Sequence, residues 1–294
     1  MQRRVRDWRA TRGPDKEVFF EQVHEADHEA GLDFTCVNSL KVTIEGQWLR
    51  HLLLELVLVH STWTWACVAF SETFEALIDG LQRALWTLGG VPRTLVMDNM
   101  SAATHELKQG TGRTLNRRFA DVCEHLGLER VRRINPGHAH ENGEVENRHS
   151  RTKKQLKQAL VLRGSRDFAS LEDDERFIHE TLEHAHNRHI QAQLHTEQER
   201  LAPLPSRPVP SYTVTTPKVR KWSTIRVRGR VYSVASRLIG HQVEVRLHPN
   251  VAEMTFVAVG SRGASSRRLG ECVGRRCDHA LVEPVVEVGD AVPD

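Results

Sequence analysis

The sequence is short of the features that would tie it to a membrane, a secretory route or a structural metal. Only 5 cysteines occur in 294 residues (Cys36, Cys67, Cys123, Cys272, Cys277), odd in number, scattered, and mostly inside apolar runs. That is the pattern of reduced core thiols in a cytosolic protein, and it argues against a disulfide framework. Cys272 and Cys277 have His279 close by but no matching second pair, so no zinc site is expected there. Long apolar runs are missing as well. The longest, Leu52 to Val59, is interrupted by Glu55 and is far too short to span a bilayer. No secretory leader is expected, because Met1-Gln2-Arg3-Arg4 leads into charge. A strong charge excess is also absent: 41 Lys and Arg against 38 Asp and Glu give a net charge of +3. That permits nucleic acid without arguing for it, so the clustering of charge has to decide.

What the chain does have is a clear succession of periods. Residues 1–20 are basic, then turn-rich, and read as a linker or the remnant of a terminal helix. Three strand-like segments follow: one through Asp33 to Ile44, Leu52 to Val59, and Trp63 to Phe70. Their short connections suggest an antiparallel meander, and the apolar second segment suits a strand covered on both faces. Ser71 is expected to cap a helix whose Phe74, Leu77, Leu81, Leu85 and Leu88 keep helical spacing up to Gly89-Gly90. A strand, Thr94 to Met97, then delivers Asp98. A polar stretch, 101–113, reads as a mobile loop, and Leu115, Phe119, Val122 and Leu126 mark a second amphipathic helix. A weaker strand from Leu128 to Ile134 precedes a long helix that ends at Arg163-Gly164, and residues 171–200 continue as helix with Ser170 as cap. Five prolines in 203–217 mark a semi-rigid linker. Beyond it, Ile225 to Val227 and Val231 to Val234 flank Gly229 as a hairpin in a small basic β domain. After Gly260 the pattern is lost.

The chemistry gathers in His138 to Lys153, where Glu141, Glu144 and Glu146 open a helix and basic residues follow on its next turns. Acidic residues in a first turn also suit the helix dipole, with no site implied. Asp33 lies in a strand-like run and Asp98 at a strand end. Two strand-borne aspartates followed by a helix-borne glutamate are the carboxylate set of a two-metal phosphoryl-transfer site. A rival motif, His24-Glu25-Ala26-Asp27-His28, fits the pattern of zinc metallopeptidases. Its context is poor, because Gly31 and a strand follow at once. His179, His184, His186 and His189 are expected to be solvated.

Gly89-Gly90-Val91-Pro92-Arg93 leading to Asp98-Asn99, then His140-Glu141-Asn142-Gly143-Glu144-Val145-Glu146, resemble the IstA-type transposases of bacterial insertion sequences. These belong to the retroviral-integrase-like DDE superfamily. Arg163-Gly164-Ser165-Arg166-Asp167-Phe168, Tyr232-Ser233-Val234 and Arg237-Leu238-Ile239-Gly240 are similar to that family too, and the resemblance covers roughly residues 3–250. It implies an α/β, ribonuclease H-like mixed sheet with helices on both faces, followed by a small C-terminal β-barrel-like domain. Together with the composition shifts it divides the chain into a linker or terminal helix remnant (1–28), an integrase-like catalytic core (29–168), a helical extension (169–202), the Pro-rich linker (203–217), the basic β domain (218–260) and a poorly ordered tail (261–294).

By the same resemblance the catalytic, metal-holding triad falls on Asp33, Asp98 and Glu146, the Gly-x-Val-Glu context selecting Glu146. Two Mg²⁺ (or Mn²⁺) ions are implied, with DNA strand cleavage and strand transfer as the activity. Lys153, seven residues beyond Glu146 on the same helical face, is expected to contact DNA. Arg226, Arg228, Arg230 and Arg237 are expected to do so from the β domain. The implied partners are DNA (terminal inverted repeats and a target), an AAA+ ATPase helper and further copies of the chain. No membrane is involved, and the expected location is the bacterial cytoplasm, at the nucleoid. The chain departs from the family in two places. Met1 starts at what reads as the linker after the usual helix-turn-helix region, and the pattern is unrecognisable past about residue 250. The alternative is therefore a catalytically decayed, DNA-binding remnant, with the zinc metallopeptidase a remote third.

Overall fold

The computed structural model describes residues 25–98, 103–106, 113–133, 143–249, 251–256 and 265–271. β1 (Glu29–Cys36) leads through a 3-10 turn into a minimal hairpin, β2 (Thr43–Ile44) and β3 (Gln47–Trp48). The strand expected to run from Asp33 to Ile44 is thus broken after Cys36 by the 3-10 turn Asn38–Leu40, which closes at Lys41 with a left-handed backbone (φ 55°). β4 (Leu52–Leu58) and β5 (Thr64–Ala69) complete an antiparallel meander with β1. α1 (Phe74–Leu88) then crosses to β6 (Thr94–Met97), which lies parallel to β1. A small hairpin, β7 (Thr104–Glu106) with β8 (Arg113–Leu115), occupies part of the stretch read as a loop. α2 (Arg117–Leu126) returns the chain to β9 (Arg130–Arg133), parallel to β6. The result is one five-stranded mixed sheet in the order β5-β4-β1-β6-β9, the ribonuclease H-like arrangement.

Local chemistry explains the boundaries. Thr73, not Ser71, caps α1: its side chain accepts from the Ala76 N–H, and an extended backbone at Thr73 leaves the helix to begin at Phe74. Gly89 stops that helix in the left-handed region (φ 86°), where a side chain would be strained. Leu115 belongs to β8 rather than to α2, which Asn116 caps.

β4 shows why its apolar run is continuous. Leu54, Leu56 and Leu58 point to one core with Leu77, Leu81 and Leu85 of α1 and Phe119 of α2. Leu53 points to the opposite core, which is closed by α3 (Gly143–Arg163), β10 (Asp167–Phe168) and α4 (Leu171–Ala185) through Leu156, Leu160, Phe168, Ile178 and Leu182. Both faces are dry, so only one residue of the strand, Glu55, brings charge inside.

The helix read over 171–200 is two. α4 ends at Ala185, and after a 3-10 turn α5 (Gln191–Gln198) follows. Asn187 sits in the break because its amide pairs with the Thr64 backbone in both directions. The Pro-rich linker lies along the core: Val209 exchanges two hydrogen bonds with Gln82, and Ser211 donates to Asp79. Its last part is itself a strand, β11 (Thr213–Thr215), which with the hairpin β12 (Thr224–Val227) and β13 (Arg230–Ser233), β14 (Glu244–Leu247), β15 (Val251–Phe256) and β16 (Ser265–Glu271) makes a four-stranded and a two-stranded sheet. Among the described residues these sheets are open, not a closed barrel. The segment read as a poorly ordered tail contributes β16, paired antiparallel to β15. No described helix is long and apolar enough to cross a membrane.

Candidate active site

The site forms where the parallel pairing of β1 with β6 ends. Their parallel register pairs Leu32 with Met97, so Asp33 and Asp98 occupy the next positions on neighbouring strands. This carboxyl end of an open sheet is where such folds collect ligands. Phe34 N–H donates to Asp33 Oδ1 at 2.7 Å, which fixes one carboxylate oxygen. Burial pushes the Asp33 carboxyl up to about 6, and the charges of Asp98 and Glu72 add to this, against a smaller opposing effect of His149. A half-buried carboxylate that resists ionisation beside a second one has the electrostatics of a cation site. Hard oxygen donors of this kind fit Mg²⁺ or Mn²⁺.

The third expected donor, Glu146, lies in the first turns of α3, and its side chain is outside the described residues. Among the described residues no three His, Cys, Asp or Glu side chains cluster as a metal site. The two aspartates are therefore the part of the triad whose geometry is on hand. Lys153 is on α3, one turn beyond His149, and close enough for its charge to act on the imidazole.

A buried group beneath the aspartates was not singled out from the sequence. Glu55 is fully buried and faces Asp33 across the β1–β4 pairing. His149 Nδ1 donates to Glu55 Oε2, and His149 Nε2 stands 3.8 Å from Asp33 Oδ2. Burial opposes a charged imidazole, yet the hydrogen bond and charge of Glu55, then Asp33, outweigh it and raise the His149 pKa above its ordinary value. Arg148, also buried, donates from Nε to Thr64 Oγ1 at 2.7 Å; burial lowers its guanidinium to about 10 while Glu55 works against that. The signal in the sequence was Glu55 itself, since a charge inside a dry strand has to have a partner.

The rival zinc motif is not a helix where it is described. Residues 26–28 form a turn with Asp27 at φ 70°, β1 starts at Glu29, and Asp27 is bound by Arg93 Nε at 2.9 Å. His28 is therefore in a turn and not on a helix, and His24 lies outside the described residues. Of the histidines expected to be solvated, His179 instead stacks on Trp65 and bonds the Ala66 carbonyl, and His186 bonds Thr62.

In the C-terminal sheets Arg226 and Arg237 are exposed, and Arg230 is partly so. Arg228 is engaged differently: its Nη2 donates to Glu75 Oε1 of α1 at 2.6 Å. Trp222 is 76% exposed at a tight turn, with Lys221 Nζ 5.3 Å from its ring.

Comparison with known proteins agrees with this arrangement. Residues 32–139 match the integrase core domain, and residues 204–261 match the Mu transposase C-terminal domain. An uncharacterized protein of Sinorhizobium fredii is 39% identical over 251 residues, which is 84% of this chain and 49% of the relative. The transposase for insertion sequences IS1326/IS1353 of Pseudomonas aeruginosa is 24% identical over 238 residues, 77% of this chain and 44% of its own length. The chain thus spans about half the length of these curated relatives. A simian T-cell lymphotropic virus intasome structure aligns over 88% of this chain and 83% of its own, at 16% identity and a TM-score of 0.45.

Proposed function

The chain belongs to the integrase-core transposases of insertion sequences, and from that premise we propose that it breaks and joins DNA strands at Asp33, Asp98 and Glu146. One observation carries the reading. Asp33, inside β1, and Asp98, just past the end of β6, follow the last paired residues of two adjacent parallel strands, and the difficulty of ionising Asp33 there leaves a place for positive charge. Two Mg²⁺ (or Mn²⁺) ions on these carboxylates would activate water or a DNA 3′-hydroxyl and neutralise the leaving oxygen.

The remaining roles fall to the chain's own groups. The three carboxylates fix where the scissile phosphodiester must lie, at the open end of the sheet. Lys153 offers a cation for a neighbouring phosphate on the helix that carries Glu146. Arg226, Arg230 and Arg237 extend a basic surface along the C-terminal sheets, and exposed Trp222 beside Lys221 suits stacking on a base. No covalent protein–DNA intermediate is needed, so no Ser or Tyr nucleophile is assigned. Terminal inverted repeats as substrate, an AAA+ ATPase helper and assembly of several copies on paired ends complete the proposal.

The test is metal-dependent scission of terminal-repeat DNA by the chain, with the proposed ATPase present. Glu146→Gln should abolish product while gel-shift binding persists. If Glu146→Gln cuts as well as the wild type, the third carboxylate has been misassigned.

A further inference from the structure

We propose that Glu55 and His149 form a buried brace that positions the Asp33 carboxylate, His149 being the positioning residue and Glu55 the group that aims it. The inference rests on the reading of Asp33 as a metal ligand.

Three observations lead to it. Glu55 is 0% exposed in the middle of a strand whose other residues are apolar. Burying a carboxylate costs several kcal/mol, and buried ion pairs can often be replaced by apolar residues without loss of stability. The fold alone therefore gives little reason to keep a charge at this position. Second, Asp33 and Glu55 are direct cross-strand partners, so their side chains share one face of the sheet. Two carboxylates placed opposite one another repel. The imidazole of His149 stands between them, bonded through Nδ1 to Glu55 and presenting Nε2 to Asp33 Oδ2 at 3.8 Å. Third, His149 is itself only 8% exposed, and its Nε2 is buried with no hydrogen-bond partner. A ring nitrogen left in that state faces something the fold itself does not require.

The geometry then divides the work. Asp33 Oδ1 is held by the Phe34 N–H at 2.7 Å, and Oδ2 is faced by His149, so both oxygens have a fixed neighbour. Fixing one imidazole nitrogen by a carboxylate so that the other points at a target is how outer groups orient metal sites. The brace also ties two elements together. His149 follows Glu146 by three residues, one helical turn, so the bond to Glu55 clamps the glutamate-bearing end of α3 onto β4. Arg148, bonded to Thr64 Oγ1 on β5, holds the same turn from the other side.

The experiment is Mn²⁺ binding by the purified full chain, read from the free-ion electron paramagnetic resonance signal, alongside thermal unfolding without metal. Asp33→Asn tests the underlying metal reading and should remove the binding. Glu55→Gln and His149→Ala should each weaken Mn²⁺ about 10- to 100-fold. The double variant Glu55→Leu/His149→Leu removes the buried pair while keeping apolar volume; it should unfold within a few degrees of the wild type and still bind weakly. Should Asp33→Asn bind Mn²⁺ normally, the metal reading fails before the brace is reached. Should Asp33→Asn lose binding while folded brace variants bind like the wild type, the brace is overturned. It is overturned equally if every brace variant, the double one included, fails to fold, because the pair is then structural.

Discussion

Glu75, fully buried in the first turn of α1, accepts a hydrogen bond from Arg228 Nη2 at 2.6 Å, and Thr213 Oγ1 bonds the same oxygen. One carboxylate of the core thus holds both the end of the linker and the β12–β13 hairpin. The bonds explain why the Pro-rich stretch, read as a semi-rigid boundary, lies against the core.

Arg228→Ala should destabilise the chain by about 1–3 kcal/mol, since a buried carboxylate loses its charged partner. Limited proteolysis should then open the 203–217 linker. The pH dependence follows from the direction of the shift. Burial pushes the Glu75 carboxyl up, but the bonds from Arg228 and Thr213 prevail and hold it below its ordinary value. Its contribution is therefore present above the unfolded carboxylate pKa and lost as pH falls through the folded one. Denaturant titrations at pH 7 and pH 4 should show Arg228→Ala costing less at the lower pH. An equal cost at both would dissociate the linker from this ion pair.

Asp174 gives the opposite sign. It is buried in the first turn of α4, and burial, with Glu175 beside it, raises its carboxyl to about 7. A folded pKa above the unfolded one means stability that is full below about pH 4 and is lost as pH rises through about 7. Asp174→Asn, which cannot ionise, should flatten that decline and melt a few degrees above the wild type at pH 8. A variant that melts lower at pH 8 would mean that the ionised form is held by a partner.

Gly80 is where α1 meets β4 most closely. A Cβ there would stand 2.3 Å from Leu54 Cδ2 and 3.0 Å from Cys67 Sγ. Gly80→Ala should cost about 1–3 kcal/mol through overpacking, despite alanine's better helix propensity. A stabilised variant would show that the helix sits farther from the sheet.

DNA binding should separate the arginines. Arg226→Ala, Arg237→Ala and Lys153→Ala should each lower the slope of log affinity against log salt by about one. Arg228→Ala should lower it less, since its charge already faces Glu75. Equal slopes for all four would place Arg228 on DNA.

Much of this architecture was legible along the chain because it is written in local periods. Leu52 to Val59 and Thr94 to Met97 differ from β4 and β6 by at most one residue, and Gly89 ends α1 as its position implied. The misreadings have tertiary causes. Ser71 was read as the cap, whereas the Ala76 N–H reaches Thr73, two residues further on. The break after Ala185 exists because Asn187 is claimed by Thr64, 123 positions away. The same applies at the site. Asp33 could be picked out inside a strand-like run and Asp98 at a strand end, whereas Glu55 and His149, 94 positions apart, meet only when α3 packs on β4. Glu55 was visible as an interruption of an apolar run, but a sequence does not say which residue answers a buried charge.

The central claim is that Asp33 and Asp98, on neighbouring strands, are catalytic carboxylates, and Asp98→Asn tests it most directly. The amide keeps the shape of the side chain and removes the charge that a divalent cation needs. The measurement is strand cleavage of terminal-repeat DNA in Mg²⁺ or Mn²⁺ by the chain, with the proposed ATPase helper added, paired with DNA affinity under the same salt. The expected result is cleavage by the wild type, loss of at least about 100-fold in Asp98→Asn, and DNA affinity changed little. Undiminished cleavage by Asp98→Asn, or no cleavage by the wild type under these conditions, would contradict the claim.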